Sequence, residues 1–218
     1  MKYDKKLILA LLVLVLGLGT FLFTGVAYVR AKQAEALAAR QVAFSISLPS
    51  IDFYFFYKLF MTWVNSGVVG TNNNALSTQM VAKLKPSYSF DVSEIRYAYT
   101  SRFSNLGMTD CTKIYFGDKD IVNRLKANSA LTTSQVWWLA HEVTHGEQCK
   151  RWGGREAYAK TWFKQVTNTV LNNILKGKFT SVVQDIFNAQ GAAIHDSMSM
   201  EKEADQRAAK VVQGWKWP

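Results

Sequence analysis

Three kinds of residue are scarce in this chain of 218: there are only 3 prolines, 2 cysteines and 3 histidines. With so few prolines, 49% hydrophobic residues and 19% charged ones, the composition excludes a disordered chain and is that of a packed globular protein. Internal repeats and low-complexity tracts are also missing, so the length provides for one ordinary domain plus a targeting element. The net charge is +10, yet no dense basic run exists. The lysines and arginines are scattered (Lys83, Lys113, Arg124, Arg151, Lys176), which is the pattern of a solvated cationic surface, and no nucleic-acid partner is expected.

What is present begins with an almost unbroken apolar run from Leu7 to Val29, preceded by Lys2, Lys5 and Lys6 and closed by Arg30 and Lys32. As a helix rising about 1.5 Å per residue it would measure roughly 34 Å, enough to cross a bilayer. Residues 1–30 are therefore read as a membrane anchor. The alternative is a signal sequence cleaved near Gly25, Val26 and Ala27, followed by secretion, although the apolar core of a signal peptide runs only about 7–15 residues. Basic residues on the two sides balance and do not orient the span.

The cysteine pair, Cys111 and Cys149, suggests a disulfide in an oxidising compartment and so an extracytoplasmic domain; two buried thiols are the competing reading. Residues 31–50 read as a juxtamembrane linker and residues 51–218 as the folded domain. The aromatic stretch Ile51–Val64 is too short to cross a membrane and fits a core or membrane-surface helix. A loop at 67–75 and a helix at 77–84 follow, and then two strands at 94–100 and 112–116, rich in β-branched and aromatic residues. From Thr132 onward the chain reads as helices.

Two of the three histidines stand four residues apart in His141-Glu142-Val143-Thr144-His145. Thr132 and Gln135 form a capping box for a helix running to about Cys149, and on a helix positions four apart share a face. His141 and His145 can then reach one zinc ion (Zn²⁺) at roughly 2.0–2.1 Å, with Glu142 displaced beside them by about 100°. A catalytic zinc commonly takes three protein ligands. In Met200–Asp205, Glu201 lies on the apolar stripe with Ala204, Ala208 and Val212 and is the expected third ligand. Asp205, one turn on, is expected to accept the free ring N–H of a ligating histidine. Glu203 falls on the polar stripe as a solvated partner of Arg207. His195 competes as an accessory ligand or oxyanion donor, while Cys149, also on the histidine stripe, is unavailable if it forms the disulfide.

His141 to His145 (HEVTH) followed by Glu201 to Asp205 (EKEAD) resembles the gluzincin pattern. More closely, Ile114-Tyr115-Phe116-Gly117, Leu139 to Cys149 (LAHEVTHGEQC) and Glu201 to Asp205 together are similar to the small metallopeptidase-type domains associated with extracellular contractile injection systems, over roughly residues 91–212. The resemblance implies an α+β, mainly helical zincin-like domain with a small strand region before the HExxH helix. It also implies zinc held by His141, His145 and Glu201, hydrolysis of a peptide or protein substrate with Glu142 as general base, and an inserted helical hairpin at about 155–190. A different class of function remains open: an envelope protein, stabilised by zinc and without catalysis, that binds a partner or an anionic polymer.

Overall fold

The computed structural model describes residues 53–104, 106–175 and 196–215, which belong to a compact unit, Ile51–Pro218. The expected N-terminal anchor, the linker, His195 and the second half of the 155–190 hairpin lie outside the described residues. Among the described residues no helix is long and apolar enough to cross a membrane.

The architecture is mixed α/β, mostly helical with a small sheet. Helix α1 (Phe53–Ser66) leads to a two-residue strand β1 (Asn74–Ala75) and helix α2 (Thr78–Leu84), capped by the Ser77 side chain. Strands β2 (Arg96–Tyr99), β3 (Gly107–Asp110) and β4 (Lys113–Phe116) follow, then helices α3 (Lys119–Lys126), α4 (Thr133–Arg151), α5 (Arg155–Leu175) and α6 (Ser199–Gly214). The sheet order is β1-β2-β4-β3, with β2 and β4 parallel and the other two pairs antiparallel.

Two strands match the sequence expectation to within a few residues, and two do not. Gly107–Asp110 has no run of β-branched or aromatic residues; it is a strand because the turn at Cys111 and Thr112 folds it back onto β4. Asn74–Ala75 falls in the segment expected to be loop, and it pairs with Tyr97 and Arg96 only where β2 offers an edge. In both cases tertiary contact outweighs local propensity.

Helix α4 starts as expected. Thr132 Oγ1 accepts from Gln135 N while Gln135 Oε1 accepts from Thr132 N, at 3.2 and 3.0 Å. It runs to Arg151, two residues past the expected end, before Gly153 and Gly154 leave it at positive φ. Its sheet-facing side buries Val136, Leu139 and Val143 against Ile95, Tyr97, Ile114 and Phe116. Its other side lies along α6, where Ala204 and Ala208 are fully buried, and residues this small allow the two helices to approach closely. Helix α1 is amphipathic: Tyr57, Met61 and Val64 enter a second core with Tyr115, Tyr158 and Met200, while Phe55 and Leu59 are exposed.

A disulfide joins Cys111, in the β3–β4 turn, to Cys149, one turn of α4 beyond His145. The turn residue Cys111 has φ +56°, a left-handed conformation that this tight reversal imposes.

Candidate metal centre

His141 and His145 project from successive turns of α4, and Glu201 meets them from the first turn of α6. Their Nε2 atoms are 3.1 Å apart, and Glu201 Oε2 lies 3.1 Å from His145 Nε2 and 3.3 Å from His141 Nε2. Three tetrahedral ligands at roughly 2.0–2.1 Å from a zinc ion stand about 3.3–3.4 Å from one another. The observed triangle is therefore the size that such an ion requires. All three side chains are buried and could hold a metal ion together.

Why these groups tolerate burial is a matter of charge. An ionised carboxylate away from water needs a cation or donors beside it, and the first turn of α6 adds the positive end of a helix dipole near Glu201. In the metal-free protein a protonated His141 ring supplies that cation. Burial disfavours a charged His141 ring, but the Asp205 and Glu201 carboxylates beside it override this and push the ring up to about 10. His145 is raised likewise, with Glu201 overcoming the cost of burial.

The sign of the pH effect follows. In the metal-free fold the protonated His141 ring contributes its full stability below its ordinary value of 6.5, and that contribution is lost as pH rises through about 10. A metal ion needs neutral rings, so metal uptake near neutral pH expels protons. Calorimetric titration with zinc in buffers of different ionisation enthalpy should show net proton release at pH 7, and apparent affinity should climb between pH 6 and 9.

Each ring is also held from behind. His141 Nδ1 is 3.0 Å from Asp205 Oδ1, and His145 Nδ1 is 2.9 Å from Gln148 Oε1. Trp137 stacks on His141 with centroids 5.1 Å apart, and Trp138 meets it edge-on. Tyr158 is buried beside His145, ring centroids 6.3 Å apart, and burial raises its hydroxyl well above the ordinary range, so it stays a donor.

Glu142 is buried next to the triangle without being one of its corners. Thr109 Oγ1 lies 2.7 Å from its Oε2, and strand β3 passes so close that a Cβ on Gly107 would sit 2.7 Å from Glu142 Cδ. Only glycine leaves room there for the carboxylate. Gly107→Ala is expected to displace Glu142, to cost about 1–3 kcal/mol from overpacking, and to leave metal content unchanged; a thermal melt beside metal analysis checks this.

Gln148, Thr109, Gly107 and Tyr158 were not foreseen as parts of the site. Gln148 carried a signal, since it follows His145 by three residues on the same helical face; the others reach the site only through the sheet and α5. Cys149 is in the expected disulfide with Cys111, so its sulfur is not a ligand. One sequence expectation meets the structure differently. Glu203 does not pair with Arg207: Arg151 grips it with both guanidinium nitrogens at 2.8 and 2.7 Å, while Arg207 turns to Glu147 and the Ser87 carbonyl. A planar fork on a carboxylate outweighs a single-helix i,i+4 pair.

Comparison of the chain with protein-family models, with curated proteins and with solved structures finds no match in any of the three.

Proposed function

We propose that the chain is a zinc-dependent peptidase of the zincin type. The observation that carries this reading is the buried triangle of His141, His145 and Glu201 with a second buried carboxylate, Glu142, directly beside it. Two imidazole nitrogens and one carboxylate oxygen are a donor set suited to zinc, and three protein ligands leave a position open. When bound, the ion supplies Lewis-acid polarisation of a carbonyl and acidifies water. The chain does the rest. Glu142, steadied by Thr109, takes the proton of the attacking water on its carboxylate and returns it to the leaving amine. Tyr158 offers a protonated hydroxyl to developing oxyanion charge.

The sheet favours a peptide as substrate. β3 is an edge strand, and among the described residues no strand pairs with its outer side. An extended peptide added there would run past Glu142, which touches Gly107 of that strand. The disulfide, together with the apolar run at 7–29, supports a domain held outside the cytoplasmic membrane by that run.

The test is to strip the protein with a chelator, reload it with zinc, and present a pool of internally quenched peptides. Cleavage that disappears on stripping and returns with zinc is expected. A protein that binds zinc, melts at much lower temperature without it and cuts no peptide would instead be the zinc-stabilised binding protein.

A further inference from the structure

We infer that Gln148 is a positioning residue for the metal centre, locked by Glu203 and Arg151 in the one orientation that turns His145 Nε2 toward the other two ligands. The inference rests on the reading of the triangle as a divalent-metal site and adds what dictates the tautomer of its second histidine.

A carboxamide has an accepting and a donating end, and a buried one must satisfy both. Gln148 is fully buried. Its Nε2 lies 2.8 Å from the Met200 carbonyl and 3.2 Å from Glu203 Oε2, and both of these groups only accept. The amide nitrogen therefore belongs on that side, and the amide oxygen faces His145 Nδ1 at 2.9 Å. Flipping the amide would set its oxygen against two acceptors. With an acceptor opposite it, Nδ1 carries the ring proton, which leaves the Nε2 lone pair in the triangle. Glu203 is in turn pinned by the fork from Arg151.

The relay Arg151–Glu203–Gln148–His145 crosses from α4 to α6 and back. Helix α6 thus contributes twice to this ligand set: it brings Glu201 directly, and through Met200 and Glu203 it orients a histidine on the neighbouring helix. Asp205, also on α6, holds His141. Before α6 docks, nothing in this network selects the tautomer of His145.

The experiment combines nitrogen-15 NMR of the histidine rings with zinc affinity, measured by competition against a chelator, on the full chain. Wild type is expected to show His145 Nδ1 protonated both before and after zinc is added. Gln148→Met, similar in length but without an accepting oxygen, should bind zinc roughly 10–100-fold more weakly. Because Gln148 is fully buried, Glu203, with a third of its side chain exposed, provides the variants that do not threaten folding. Glu203→Ala should weaken binding by less, and Glu203→Gln, whose carbonyl still accepts from Gln148, should recover most of that loss. Unchanged zinc affinity in Gln148→Met, or an unprotonated Nδ1 in wild type, overturns the relay. If wild type binds no divalent ion, the metal reading fails, and the tautomer of the neutral His145 ring, read at a pH where the ring has lost its charge, decides the relay, supporting it if the remaining proton is on Nδ1 and overturning it if it is on Nε2.

Discussion

Glu201→Ala should lose zinc, with affinity falling by at least about 100-fold, because partners that only orient a ligand are already worth about 10–100-fold. Glu201 is one of three corners, and two imidazoles on one helix cannot close the triangle alone. The substitution has a second effect. Glu201 is a main reason that both rings are raised toward protonation in the metal-free state, so its removal leaves the rings more easily neutral and less stabilised. Metal content by mass spectrometry, beside chelator competition, separates this variant from Glu203→Ala, for which only the smaller loss is expected. If Glu201→Ala kept stoichiometric zinc, the triangle would not be the metal site.

Much of this site is legible in the sequence. The capping box at Thr132 set the phase of α4, and a helical period then placed His141 and His145 on one face and Glu201 on the inward stripe of α6. Those are local inferences, and local geometry of a helix is nearly fixed. Asp205 followed from the same period. What stayed hidden depends on elements far apart in the chain. Nothing in Gly-Met-Thr-Asp announces a strand, and nothing in Gly107 announces that a carboxylate from residue 142 fills the space where its side chain would be. Glu203 shows the limit from another side: a helical period finds the i+4 neighbour Arg207, whereas the stronger partner, Arg151, comes from a different helix.

The disulfide belongs with these long-range features. Cysteine count suggested a bridge but not its purpose. In the structure Cys149 follows His145 by one turn and Cys111 directly follows β3 in its turn to β4, so the bond fastens the strand that carries Gly107 and Thr109 to the helix that carries Glu142. It restrains the surroundings of Glu142 and, through the same helix, of His145.

Glu142→Gln is expected to keep zinc and lose turnover by about 10²–10⁴-fold, the range for removing a general acid–base group. Glutamine has nearly the same shape, its oxygen can accept from Thr109, and it leaves the three corners untouched; it cannot hold a proton taken from water. Stability should move the other way. Glu142 is a carboxylate 2% exposed, with Thr109 as its hydrogen-bond donor, and a neutral amide there avoids the desolvation cost of a buried charge. Its melting temperature should equal or exceed that of wild type, the pattern of a group retained for chemistry at the expense of stability. Peptide cleavage, zinc content and thermal melting measured on one preparation test the three parts together. A variant that bound zinc and cut peptides at the wild-type rate would remove Glu142 from the mechanism and, with it, the reason for reading the triangle as a catalytic centre.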